Sequence, residues 1–146
     1  MFDLWTVVRF AHVMGAIVWV GGQLTITLVV LPQVRERLAI ADRADVMRAV
    51  GQRFAVITMA LFLPLQITTG VTLAWHYGVT WASLAQPGYG RILVLKLVLF
   101  TAVMAAATLH GLAQAKGQAE RARAASVASL VGSLGVVLLA TWLAEG

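Results

Sequence analysis

The chain has 146 residues, 60% of them hydrophobic and 12% charged, with no cysteine and a mean hydropathy of +0.86. A soluble domain carries about a quarter charged residues, so this composition cannot keep a globular surface wet; without cysteine, disulfides, thiolate metal sites and Fe–S clusters are also excluded. Eleven bases against six acids give a formal charge of +5, but most of the bases sit in two short segments between apolar runs rather than on an aromatic-studded face, which excludes nucleic acid as the partner.

The first apolar run covers about 4–31, close to the roughly 20 residues that a bilayer core requires. No basic segment precedes it, and Trp5, Arg9 and His12 interrupt its start, so it reads as a retained span rather than a signal peptide. Pro32 is expected to end it. Residues 36–52 alternate Glu36, Arg37, Asp42, Asp45 and Arg48 with Leu38, Ile40, Val46, Met47 and Val50, the pattern of an amphipathic segment lying on the inner membrane surface. A second span follows at about 54–77. The connection 78–90 contains no Lys or Arg and ends in Gln86-Pro87-Gly88-Tyr89-Gly90, a turn-rich element. A third span covers about 91–114 and a fourth about 124–144. No repeat or linker divides the chain, which predicts one domain over 1–146: an all-α integral membrane four-helix bundle.

Arg35, Arg37, Arg43, Arg48 and Arg53 lie between spans one and two, and Lys116, Arg121 and Arg123 between spans three and four. The positive-inside rule then puts these two connections in the cytoplasm and both termini outside. Trp5, Trp75, Tyr77, Trp81, Tyr89 and Trp142 fall at the outer ends of the spans, as an interfacial aromatic belt requires.

Bundle faces in lipid are marked by small and polar residues. On span one, helical spacing gathers Val8, His12, Gly15, Ala16, Trp19, Gly22, Gln23 and Ile26, opposite Phe10, Val13, Ile17, Val20, Leu24 and Leu28. Span two presents Gln66, Thr69, Gly70, Leu73, His76 and Tyr77 on one face. Span three presents Lys96, Phe100, Val103, Ala107, His110, Gly111 and Gln114. Span four offers Ser126, Ser129, Gly132, Ser133 and Val136, a packing face.

No Asp or Glu falls within a span, which removes the carboxylates of proton relays, carboxylate-pair hydrolysis and di-iron chemistry. The intramembrane groups left are His12, His76, His110, Lys96, Arg9 and Gln66, with Arg91 near the start of span three. Each also has a plain reading: Arg9 and Arg91 as snorkelling bases, His76 as an interfacial histidine, and Met14, Met59 and Met104 as lipid-facing packing. His12, about 12 Å below the outer surface at 1.5 Å per residue, is the least easily explained that way.

Two chemistries suit histidines without carboxylates. A b-type haem takes neutral imidazole as axial ligand; His12 would be one ligand and His76 or His110 the second. Gly15, Gly70 and Ala105-Ala106-Ala107 would leave room for the macrocycle, and Arg9, Arg91 and Lys96 would face its propionates. Copper is the other, with His12, Met14, Met59, His76 and the amino terminus as donors, although His12 and Met14 diverge by about 200° on a helix.

Ala11-His12-Val13, then Ile17-Val18-Trp19-Val20-Gly21-Gly22, Thr69-Gly70 and Tyr89-Gly90-Arg91-Ile92-Leu93-Val94-Leu95-Lys96-Leu97 resemble, in order and spacing, the membrane domain of the copper-resistance CopD family. That resemblance implies copper uptake or tolerance, with His12 at the outer face. His12, Gly70 through Trp75, Lys96-Leu97 and His110-Gly111 are also similar to the small haem-binding HemJ-type protoporphyrinogen oxidases, from which the chain differs at Val30-Leu31-Pro32-Gln33-Val34 and over Arg121 to Ser129. This second resemblance implies haem or porphyrin chemistry at His12 and His110, with Lys96 as a charged site residue. The expected function is haem b binding for electron transfer or oxidation in the membrane, the chain then being a haem-dependent oxidoreductase. The alternatives are copper binding and movement, or a structural subunit of a larger membrane complex. Expected partners are lipid, a redox partner or quinone, and further copies of the chain, in the cell inner (plasma) membrane.

Overall fold

The computed structural model describes residues 3–145, which are helical apart from short connections and contain no strand. Four of the helices are long and apolar enough to cross a membrane, making this a multi-pass membrane protein. The chain divides into two compact units, Met1–His76 and Tyr77–Gly146, each built around a pair of these helices.

In the first unit α1, Leu4–Arg37, and α2, Ile40–His76, are joined only by Leu38 and Ala39. Asp3 caps α1: its carboxylate accepts from the Thr6 backbone N–H and the Thr6 hydroxyl, both at 2.7 Å. These hydrogen bonds, the side-chain one first, hold the Asp3 carboxyl below its ordinary value of 3.8, with smaller help from His76 and Arg9.

Each helix contains one wide π-turn just before a Leu-Pro pair. Over Ile26–Val30 the turn closes with Leu31 N–H donating to the Ile26 carbonyl; over Thr58–Phe62, Leu63 N–H donates to the Thr58 carbonyl. Pro32 and Pro64 lack the N–H that an α-helix uses, and their rings crowd the carbonyl four residues back. Widening the preceding turn relieves that conflict and lets both helices continue.

Two expectations are thereby corrected. Pro32 does not end the first helix: α1 runs on to Arg37. The amphipathic segment 36–52 is not a separate helix either. Its first residues complete α1, the chain turns at Leu38–Ala39 where Arg43 Nε donates to the Leu38 carbonyl at 3.0 Å, and the rest is the start of α2. At about 51 and 55 Å, α1 and α2 exceed a bilayer core of about 30 Å, so this pair has length to project beyond the membrane at its Arg-rich turn.

The second unit opens with one turn of helix, α3, Trp81–Leu84, set by a capping box in which Thr80 and Ser83 exchange hydrogen bonds. The connection read as turn-rich thus holds a capped helical turn. Gly90 in α4, Tyr89–Ala115, meets the Ser83 carbonyl so closely that no side chain fits there. At Gly117, φ +68 is a left-handed conformation that glycine adopts at no steric cost; it reverses the chain into α5, Ala119–Glu145. These helices begin a few residues earlier than the periodicity suggests, at Tyr89 and Ala119 rather than about 91 and 124.

Small residues line the α4–α5 seam. A Cβ on Gly132 would meet Val103 Cγ2 at 2.5 Å and one on Gly135 would meet Leu99 Cδ2 at 3.0 Å. Val103 and Ser133 are each only 2% exposed, and the Ser133 hydroxyl donates to the Ser129 carbonyl at 2.8 Å. This is the close small-residue packing by which helices associate in lipid.

Candidate functional site

His12 sits on the face of α1 that meets α2, half-buried. Its Nδ1 lies 2.8 Å from the Thr69 hydroxyl, which in turn gives its proton to the Leu65 carbonyl at 2.5 Å. A hydroxyl has one proton to donate, so toward His12 it accepts and Nδ1–H donates. In the neutral ring Nε2 is then the acceptor nitrogen, the arrangement by which a second partner fixes the tautomer of a metal-ligating histidine. Gln66 binds the same residue from the other side, Nε2 to the His12 carbonyl at 2.6 Å.

Two glycines make this knot sterically possible. A Cβ at Gly15 would meet the Gln66 amide nitrogen at 2.5 Å, and one at Gly70 would meet His12 Cε1 at 3.2 Å. The room that these glycines leave is therefore filled by Gln66 and by the His12 ring. Space for a macrocycle is not within the α1–α2 seam.

His76 stacks on Trp5, ring centroids 3.7 Å apart and planes at 13°. Trp5 and His12 are seven residues apart on α1, as are Thr69 and His76 on α2, so the two histidines occupy levels about 10 Å apart along one seam. His76 and Arg9 are exposed, near the Asp3 cap whose charge they help to stabilise.

At the other end of the seam Trp19 lies between Phe54, 5.3 Å away at 22°, and Phe62, 4.9 Å away at 11°. Gly22 admits Phe54, since a Cβ there would meet its ring at 2.5 Å. Eight residues of straight α-helix would set Phe54 and Phe62 about 80° apart; a π-turn between them absorbs one residue and returns them to within about 20° of one face.

In the second unit His110 Nδ1 lies 2.8 Å from the Ala122 carbonyl. A carbonyl only accepts, so Nδ1–H donates and this imidazole has the same tautomer as His12. Lys96 is half-buried and Arg91 exposed; five residues apart, they diverge by about 140° around α4.

Among the described residues no three of His, Asp and Glu gather as metal ligands. The amino terminus, a candidate copper donor, lies outside the described residues. Gln66, one of the intramembrane groups marked by the sequence, and Thr69, which was not, share one helical face of span two with Gly70 and His76, and that spacing is the signal for both. Phe54 and the π-turns carried no such signal.

No known family profile and no solved structure matches the chain. Over 103 residues it is 33% identical to an uncharacterized protein of Aquifex aeolicus (strain VF5), an alignment covering 70% of this chain and 65% of that protein's length.

Proposed function

We propose that this multi-pass protein resides in the cell inner membrane with both termini outside and binds a b-type haem through His12, for electron transfer or oxidation within the bilayer. The observation that carries the reading is the His12–Thr69–Leu65 relay, which fixes Nδ1–H as donor and so makes Nε2 the nitrogen suited to iron. The donor chemistry fits a haem ligand, and the macrocycle belongs outside the glycine-lined seam that Gln66 and His12 fill. His76 and His110 are the two candidates for the second ligand: the first stacks on Trp5 and the second has its Nδ1 at 2.8 Å from the Ala122 carbonyl. Bound haem supplies one-electron chemistry. Lys96, Arg9 and Arg91 are the bases assigned to its propionates, and a quinone or redox protein is the assigned electron partner. The HemJ-like sequence pattern at His12 and Lys96 supports this reading, whereas the CopD-like pattern supports the copper alternative.

Protein purified from haem-replete cells is expected to show a Soret band that His12→Ala removes. A colourless preparation carrying stoichiometric copper would replace this reading with copper binding, and a colourless, metal-free one that co-purifies with partners would replace it with a subunit role.

A further inference from the structure

The face of α5 turned away from α4 has its own order. Ala124, Val127, Val131, Leu134 and Leu138 recur at alternating three- and four-residue spacing, the seam of a left-handed helix pair. Val127 and Val131 are 55% and 62% exposed. Ala124 and Ala128 leave a groove there, bounded at its charged end by Glu120 and Arg123. These two stand one turn apart on one face, yet among the described residues neither forms an ion pair, the ion pair found being Arg48 with Asp45.

We propose that a second copy of the chain occupies this groove, two α5 helices packing in parallel about a two-fold axis. An isologous contact sets a face against itself, so a Glu–Arg face is its own electrostatic complement: two acids and two bases meet at the membrane boundary while the Ala and Val positions let the helices approach closely. The pairing is independent of what His12 binds.

Because the chain contains no cysteine, single cysteines report the contact directly. In oxidised membranes from cells co-expressing two differently tagged chains, Val127→Cys and Val131→Cys are expected to give disulfide-linked mixed dimers, and Val98→Cys on the exposed side of α4 to give none. In the Val127→Cys background, Glu120→Arg should lower the dimer yield severalfold, and adding Arg123→Glu should restore it. No mixed dimer at either position, equal linking at Val98→Cys, or a yield indifferent to Glu120→Arg would overturn the proposal.

Discussion

In the first unit the helices are held by side chains that reach across: Gln66 to the His12 carbonyl, Thr69 to the His12 ring, Phe54 and Phe62 to Trp19. In the second, α4 and α5 approach through what is missing from the seam, with Gly132, Gly135 and Ser133 giving way to Leu99 and Val103. Adhesion in lipid requires only the second kind of contact. A polar knot inside a span adds little energy, since interhelical hydrogen bonds in membranes contribute about 0.6 kcal/mol on average, but it fixes the rotamer and tautomer of a single histidine. The second unit has such a contact too, from His110 Nδ1 to the Ala122 carbonyl at 2.8 Å, but the polar ties concentrate in the first unit and the small-residue packing in the second.

The contrast can be broken from either side. Trp19→Ala removes both aromatic stacks and is expected to cost about 3–5 kcal/mol, read as a large fall in the denaturation midpoint in detergent. Gly132→Leu should cost about 1–3 kcal/mol by overpacking the Val103 contact, whereas Gly111→Leu, at a glycine with open space around it, should leave the midpoint unchanged. Thr69→Val and Gln66→Leu should each cost less, about 0.6 and at most about 1.7 kcal/mol. Thr69→Val should also release the His12 tautomer, visible in the imidazole nitrogen shifts by NMR. If Thr69→Val proved as damaging as Trp19→Ala, the knot would be the main structural tie rather than a positioning device.

The smallest effect expected is that of pH on the α1 cap. The Asp3 carboxyl is lowered in the folded chain, so its capping contribution is fully present above the ordinary carboxylate value and is lost as pH falls through the lowered one. Amide exchange at Thr6 should rise in that acidic window, and Asp3→Asn should abolish the pH dependence.

Much of this was legible from periodicity. Apolar run length gave the four spans, and helical spacing placed His12, Gly15, Trp19 and Gly22 on one face and Gln66, Thr69, Gly70 and His76 on the face that meets it. Pro32 misled, because a proline's helix-breaking tendency says nothing of the wide turn upstream that absorbs it. The same turn in α2 hid Phe54, whose alignment with Phe62 needs a residue count that no straight helix supplies. Gly15 and Gly70 read as open space in the sequence, but in the fold that room is taken by Gln66 and the His12 ring, whose reach across the seam helical spacing does not specify.

We propose that His12, held by Thr69, is a haem ligand. The most direct test is the visible absorption spectrum of purified protein from haem-replete cells, unaltered and with His12→Ala at matched folded yield. A Soret band present in the first and absent in the second is the expected result; a band of equal intensity and position in both would contradict it.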